Sequence, residues 1–329
     1  MTEEETRQMQ DGQQGRSQSI HWTAGDPPLG LGDLVCAIGN FDGVHKGHQV
    51  VIAAARNCSV KTGLPLAVVS FSPHPRQYFR PSDPPFLLQN ETAKEACLQA
   101  LGVQLVIHVQ FDKTLQEYSP EAFVEKVLIK AFSVKHLFAG ADFAFGKGRA
   151  GSMALLVQMG EPLGLTVQPV DIHKDIGQVA VSSSRIRSAL QAGQIGLARE
   201  MLGRAPSVCG QVIMGDQRGR LLDFPTANVA LGDCLEPAYG VYAVTAVVVH
   251  EGRTITGLAG VTNIGRRPTV NDRGVLAETH LFDFHDDIYG SLLTIYLQAF
   301  LRPEKKFDGL DALKAQIAED AEQARQILK

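Results

Sequence analysis

Near residue 205 the spacing of apolar residues changes period, and that change limits the possible folds more than any other feature of the chain. Up to about residue 190, short apolar runs alternate with stretches of helical period. The runs are LVCAIG (34–39), LAVVSF (66–71), VQLVIHV (103–109), VKHLFAG (134–140) and LTVQPV (165–170). Between them lie KGHQVVIAAARNCSV, NETAKEACLQALG and SPEAFVEKVLIKAF, the last opening with Ser119 as N-cap and Pro120 in the first turn. Strands separated by helices predict an α/β fold, a doubly wound, mainly parallel sheet covered on both faces. After LGRAPSV the runs lengthen and alternate apolar with polar: CGQVIMG, YGVYAVTAVVV, TITGLAGVTNI, VLAETHLFDF and LLTIYLQAFL. Gly, Pro and Asp turns separate them and leave no room for crossover helices, so this half predicts an antiparallel sheet closed into a small β-barrel. One C-terminal helix follows, with Leu310, Leu313, Ile317, Ala321, Ala324 and Leu328 forming an apolar stripe for the core.

Two patterns in 329 residues imply two domains. The expected division is a disordered polar tail over 1–30, a first domain over 31–190, a linker over 191–206 and a second domain over 207–329. A net charge of −4 without basic blocks argues against nucleic acid as a partner, though a local positive pocket would suffice for free nucleotides. No apolar run approaches the roughly 18 residues of a membrane span, and MTEEETRQMQDGQQGRSQS lacks a signal-peptide core. The expectation is a cytoplasmic protein with no membrane partner; self-association is left open. Five cysteines, Cys36, Cys58, Cys97, Cys209 and Cys234, form no CxxC pair, which disfavours a disulfide framework or a zinc site and predicts reduced, mostly buried thiols.

Open sheets bind ligands at the carboxyl ends of their strands. NFDGVHKGH (40–48), FSPHPRQ and GADFAFGKGR each follow a strand there and should converge on one crevice. Gly39 ends the first strand, Asp42-Gly43 makes a turn, and Gly47 opens the next helix with no side chain in the way. His45 and His48 then fall at its first turn, where backbone N–H groups and the helix dipole attract phosphate and two imidazoles can donate to the same oxygens. A Walker-type lysine is absent, since GKGRAGS lacks the Lys-Ser/Thr step. An HxxH pair by itself reads equally well as surface or core histidines. Context shifts the balance: VSSSRIR (181–187) places three hydroxyls at a helix start, with Ser183 as cap and Arg187 one turn on, a second phosphate clamp beside the HxGH turn.

In the second half, RGRLLDFPTANV (218–229) puts Pro225 before Thr226 and Asn228, whose oxygens face the same way if extended and suit Mg²⁺ held mainly by phosphates and water. In ETHLFDF, Glu278 alternates with His280 on a strand, and a carboxylate there can accept a proton from an alcohol. Taken singly, PTAN reads as a turn and ETH as the polar face of a barrel.

The set FDGVHKGH, FSPHP, GADFAFG and SSSRIR resembles the nucleotidyltransferase domain of bacterial bifunctional riboflavin kinase/FMN adenylyltransferases, the FAD synthetases. HxGH is shared with many adenylyl- and cytidylyltransferases; FSPHP and GADFAFG carry the flavin assignment. PTAN, ETHLFDF, GVTNIGRRPTV, DIYGSLL and FLRPEKKFDGLDALKAQIAEDAEQAR resemble the riboflavin kinase module of the same family, in the family's order. The resemblance implies an FMN adenylyltransferase domain over 31–190 and a riboflavin kinase domain over 207–329. Riboflavin would be phosphorylated to FMN and FMN adenylylated to FAD with release of pyrophosphate, ATP being the co-substrate and Mg²⁺ the metal. It further implies that His45 and His48, with Gly47 between them, grip the ATP phosphates, and that Ser183, Ser184 and Arg187 form the second clamp. His74 and Asp142 would line the pocket, with Phe143 or Phe145 against the flavin ring. Thr226 and Asn228 would hold Mg-nucleotide, and Glu278 would activate the riboflavin 5′-hydroxyl. Two departures bear on kinase efficiency rather than on fold: Asp223 replaces the glycine of the family's GFPTAN, and Val270 stands where an aromatic often follows RPT. The competing readings are an enzyme limited to adenylyl transfer, its kinase barrel weakened, and a flavin or nucleotide sensor without turnover.

Overall fold

The apolar runs of the first half are continuous because their strands are covered on both faces. In the computed structural model, which describes residues 18–171, 179–215, 224–266 and 274–329, six strands form one sheet. They are β1 (Gln18–Trp22), β2 (Leu34–Ile38), β3 (Leu66–Ser72), β4 (Leu105–Gln110), β5 (Val134–Gly140) and β6 (Thr166–Val170). Their order is β1-β4-β3-β2-β5-β6, every neighbouring pair parallel. Successive residues of a strand serve opposite cores: Cys36 and Ile38 of β2 pack on one face, Val35 and Ala37 on the other. The helices α1 (Lys46–Thr62), α2 (Pro75–Phe79) and α3 (Glu91–Ala100) follow or connect these strands. Ser119 caps its helix as expected, its Oγ accepting from Ala122 N–H at 3.2 Å, and the helix continues as a π-helix over Phe123–Ala131. The chain runs outward from β2 through β3 to β4 and then resumes at β5 on the other side of β2, so the loop after β2 sits at the topological switch point.

Of the tail expected over 1–30, residues 1–17 lie outside the described residues and the rest is not a tail. Gln18–Trp22 form the edge strand β1, and Trp22 is buried edge-on against Phe132 at 5.1 Å between ring centroids. Only Ile20 and Trp22 face inward, too few apolar positions to stand out in a polar stretch.

The second half forms a ring. Its strands are β7 (Ser207–Gln211), β8 (Ala227–Ala230), β9 (Gly240–His250), β10 (Arg253–Arg266), β11 (Val275–Leu281) and β12 (Leu292–Pro303). They pair antiparallel in the order β8-β11-β10-β9-β12-β7. Beyond β7 the Ile213 N–H donates to the Asn228 carbonyl at 2.9 Å, joining the two ends of the sheet into a barrel. PTAN, which by itself reads as a turn, runs into strand β8.

The linker expected over 191–206 is replaced by structure. Helices α4 (Ser183–Gln191) and α5 (Ile195–Leu202) bury Ile186, Leu190, Ile195 and Met201 in the core that also holds Val229, Tyr242 and Leu293 of the barrel. The compact units are residues 1–83 with 94–180, and residues 84–93 with 181–329. The short insert 84–93 belongs to the second unit through main-chain bonds, Leu235 N–H to Leu87 O at 2.7 Å and Leu87 N–H to Asp233 O at 3.3 Å. The terminal helix α6 (Leu310–Ile327) lies on the outside of the barrel, where Ala321 and Ala324 pack with Val241, Ala243, Val261 and Phe282. Its apolar stripe is used only toward the C-terminal end; Leu310 is exposed. Arg302 of β12 pins the helix through two bonds to Asp320, Nε to Oδ1 at 2.8 Å and Nη2 to Oδ2 at 2.6 Å. No helix among the described residues is long and apolar enough to cross a membrane.

Candidate active sites

In the first unit the three expected loops leave the adjacent strands β3, β2 and β5 at their carboxyl ends, so they emerge side by side on one edge of the sheet. The turn after β2 is tightly held. Phe41 and Val44 adopt positive φ (50° and 40°), a conformation that costs roughly 1–3 kcal/mol for such residues, and both are fully packed. His45 ends the turn as the N-cap of α1, its Nδ1 accepting from His48 N–H at 3.4 Å. A neutral ring that accepts at Nδ1 carries its proton on Nε2, so His45 presents a donor. The two imidazoles stack with centroids 3.6 Å apart, and Phe41 meets His48 edge-on at 5.3 Å. His45 is 6% exposed and His48 more so. Two ring donors at a helix N-terminus, one of them buried, have the chemistry to receive an anion without a lysine.

His74 caps α2: its Nδ1 accepts from Arg76 N–H at 3.0 Å, and Gln77 Oε1 accepts from His74 N–H at 3.1 Å. Asp142 is exposed just past β5, its carboxylate lying over Gly140. Of the two rings expected against the flavin, Phe143 or Phe145, the structure disfavours Phe145. It is 5% exposed, packed against Phe123 at 5.6 Å and covered by Phe143 at 5.7 Å, so it belongs to the core and only Phe143 keeps an open edge. An aromatic group that the sequence reading passed over stands near the same strand ends. Phe79 is 57% exposed and meets Phe111 at 5.6 Å, while Tyr78 meets Phe111 at 5.2 Å. An exposed ring backed by two others can offer a stacking surface; the signal was the YF directly after FSPHPRQ.

Ser183, Ser184 and Arg187 lie on α4, in the second unit. The cap is Ser182 rather than Ser183, Ser182 Oγ accepting from Arg185 N–H at 3.4 Å. Arg187 Nε donates to the Phe86 carbonyl at 2.7 Å, and its guanidinium lies over the Phe86 ring at 5.1 Å.

In the barrel, Asn228 on β8 is in register with Glu278 on β11, so the two side chains share a face. Asn228 is 4% exposed; its Nδ2 donates to Thr226 O at 3.4 Å, which turns Oδ1 the other way. A Cβ at Gly215 would overlap the Asn228 amide, so that glycine makes the room Asn228 occupies. Thr226 lines a cavity of about 400 Å³ whose walls include Val212, Thr279, Leu281 and residues 284–289. Alternation along β11 puts Thr279 on the cavity side and Glu278 on the outer side, so the cavity and the carboxylate are separated by the strand that carries both. The outer face also bears Phe224, His280 and Phe282, successive rings 5.2 and 5.8 Å apart, with Arg325 of α6 over Phe282 at 4.2 Å. Neutral oxygens of Thr226 and Asn228 fit Mg²⁺ that draws its remaining ligands from phosphate and water. Asp223 and Val270, the two departures, lie outside the described residues.

The family model for FAD synthetase matches residues 30–185, and that for riboflavin kinase matches residues 202–328. The chain belongs to the family of bifunctional riboflavin kinase/FMN adenylyltransferases. Relatives of that description include one from Escherichia coli strain K12, 38% identical over 292 residues, covering 89% of this chain and 92% of the relative. One from Bacillus subtilis strain 168 is 37% identical over 296 residues, covering 88% and 91%. A solved structure described as a macrolide-efflux protein from Streptococcus pneumoniae is 30% identical, with a TM-score of 0.78 over 93% of this chain and 98% of its own. Family membership accounts for the order of the two units: the HxGH turn falls within the FAD synthetase match and the PTAN strand within the riboflavin kinase match.

Proposed function

We propose that the second unit phosphorylates riboflavin to FMN and the first adenylylates FMN to FAD, ATP being the donor in both steps. The observation that supports this reading is that each unit carries its own polar constellation, the stacked His45–His48 pair at a switch point in one and the Asn228–Glu278 row beside a cavity in the other.

In the kinase step, ATP occupies the cavity and its phosphates pass Thr226 and Asn228 toward the face of Glu278. The Glu278 carboxylate takes the proton of the riboflavin 5′-hydroxyl, the oxygen attacks the γ-phosphorus, and the bond to the bridging oxygen breaks to release ADP. The flavin lies on the outer face by the Phe224 and His280 rings, beside the part that α6 covers. In the adenylyl step, an FMN phosphate oxygen attacks the α-phosphorus of a second ATP and the α–β bridge breaks to release pyrophosphate. The phosphate monoester is already a nucleophile, so His45 and His48 act by donating to oxygens that gain charge. His74 and Asp142 line the pocket, and Phe143 with the Tyr78–Phe79 pair offers ring surface to the flavin; Ser183, Ser184 and Arg187 on α4 are assigned to ATP phosphate. Mg²⁺, where bound, neutralises phosphate charge, held on the kinase side by Thr226 and Asn228.

Incubation of the full chain with riboflavin, ATP and Mg²⁺, followed by chromatographic separation of flavins, tests the proposal. FAD is expected, EDTA should stop its formation, and the expected location is the cytoplasm by fractionation. Unchanged riboflavin with FMN still converted to FAD would reduce the function to adenylyl transfer; no product from either flavin would leave a binding protein.

A further inference from the structure

The neighbours of Glu278 extend beyond the PTAN strand. On β11 Glu278 stands opposite Asn228 of β8 on one side and opposite Asn263 of β10 on the other, so three polar side chains run in one row across three strands. The same row continues through Val241 of β9 to Arg302 of β12, where α6 takes over the face through Asp320. Asn263 is therefore at the border between the open part of the face and the part under the helix. Side chains directly opposite have Cβ atoms about 5 Å apart, so the Asn263 amide and the Glu278 carboxylate are neighbours on this face.

The orientation of that amide is set from the far side. Asn263 Nδ2 donates to Glu304 Oε1 at 3.5 Å. Glu304 reaches this place because Gly265, two residues along β10 on the same face, has no side chain; a Cβ there would collide with Glu304 Oε1. A primary amide whose nitrogen is turned toward carboxylates has two N–H donors and can serve one to each. A solvated strand asparagine would need no such seat for its partner.

We infer that Asn263 is a positioning residue for riboflavin phosphorylation, giving one N–H to Glu304 and the other to Glu278 and so aiming the Glu278 carboxylate at the substrate hydroxyl. The inference rests on the reading of Glu278 as base. An aimed carboxylate acts in the transition state and not on substrate binding, so its loss lowers kcat and leaves KM.

The test is steady-state and single-turnover kinetics of FMN formation by the full chain. Asn263→Ala is expected to lower kcat about 10- to 100-fold with the KM of riboflavin and of ATP within about twofold. In a Glu278→Gln background the same change should alter the residual rate less than about twofold, because the residue acts through the carboxylate. Glu304→Leu should lose about threefold or more in kcat, and Glu304→Gln, whose amide oxygen still accepts, should restore it. Equal losses from Asn263→Ala in both backgrounds, or a raised KM with kcat intact, would overturn the inference while leaving Glu278 as base. A Glu278→Gln enzyme with near-normal turnover would instead remove the base, and the inference with it.

Discussion

His45 holds the helix that carries His48, so the two histidines are not equivalent: one shapes the turn and the other is the more open donor. His48→Ala should therefore lower FAD formation from FMN by about 100-fold, about 3 kcal/mol in the transition state, with FMN formation within about twofold. Equal loss of both activities in the same chromatographic assay would mean that the chain had misfolded. Phe145→Ala removes a core ring, and the expected cost is about 3–5 kcal/mol in denaturant unfolding of the first unit. Cys36 of β2 supplies a pH signature. Burial pushes its thiol up to about 12, so folding keeps it neutral where the unfolded chain would ionise. Its contribution to stability is complete below about pH 8.5, the ordinary thiol value, and is lost as pH rises from there toward 12, about 1.4 kcal/mol per unit. Thermal midpoints of the parent should fall more steeply between pH 8.5 and 11 than those of Cys36→Ala; parallel curves would exclude it. At this scale the sequence was informative where spacing alone fixes position, as for the HxGH pair. It was not where two like residues compete for one place, as Ser182 and Ser183 do for the cap and Phe143 and Phe145 for the surface. Tertiary packing makes that choice.

Among the elements, β11 matters most, because its two faces separate the cavity lined by Thr279 from the outer face that bears Glu278, the two parts of the proposed kinase site. Period-two alternation was visible in ETHLFDF, but which face would be the interior depended on register with β8 and β10, formed by residues distant in sequence. Edge strand β1 was hidden for a related reason: its pairing is with β4, far along the chain, and its own apolar content is slight. The helix α6 was legible, yet its attachment includes two ion pairs that its leucine stripe does not announce, Asp320 with Arg302 and Arg325 with Asp283, of which the first is the buried one. Asp320 is 3% exposed and is bound on both oxygens by Arg302. Asp320→Ala leaves the guanidinium without its carboxylate at the barrel surface and should cost the second unit about 3 kcal/mol. Urea unfolding followed by a probe on the barrel would show it; a change under about 0.5 kcal/mol would mean that the apolar contacts of Ala321 and Ala324 and the exposed Arg325–Asp283 pair suffice to hold the helix.

For the whole molecule, the change of period near residue 205 located two architectures correctly but not the border between the units. Helices look alike in sequence whichever core they serve, so α4 and α5 read as the end of the first domain and a linker although their apolar faces complete the barrel. A fragment over 204–329 lacks Ile186, Leu190, Ile195 and Met201 from its core and should aggregate or melt well below a fragment over 181–329. Thermal unfolding of the two compares them directly, and equal midpoints would return α4 and α5 to the status of a linker. The insert 84–93 adds a consequence in time. It leaves the ribosome long before residues 233–235, to which Leu87 is bonded. At about 5–20 residues per second, translation leaves it waiting roughly 7–30 s. During that interval PPFLL is an apolar peptide without its strand partner, the kind of segment that chaperones retain, so the chain's yield in the cell should depend on translation speed and chaperone supply more than the stability of the finished protein suggests.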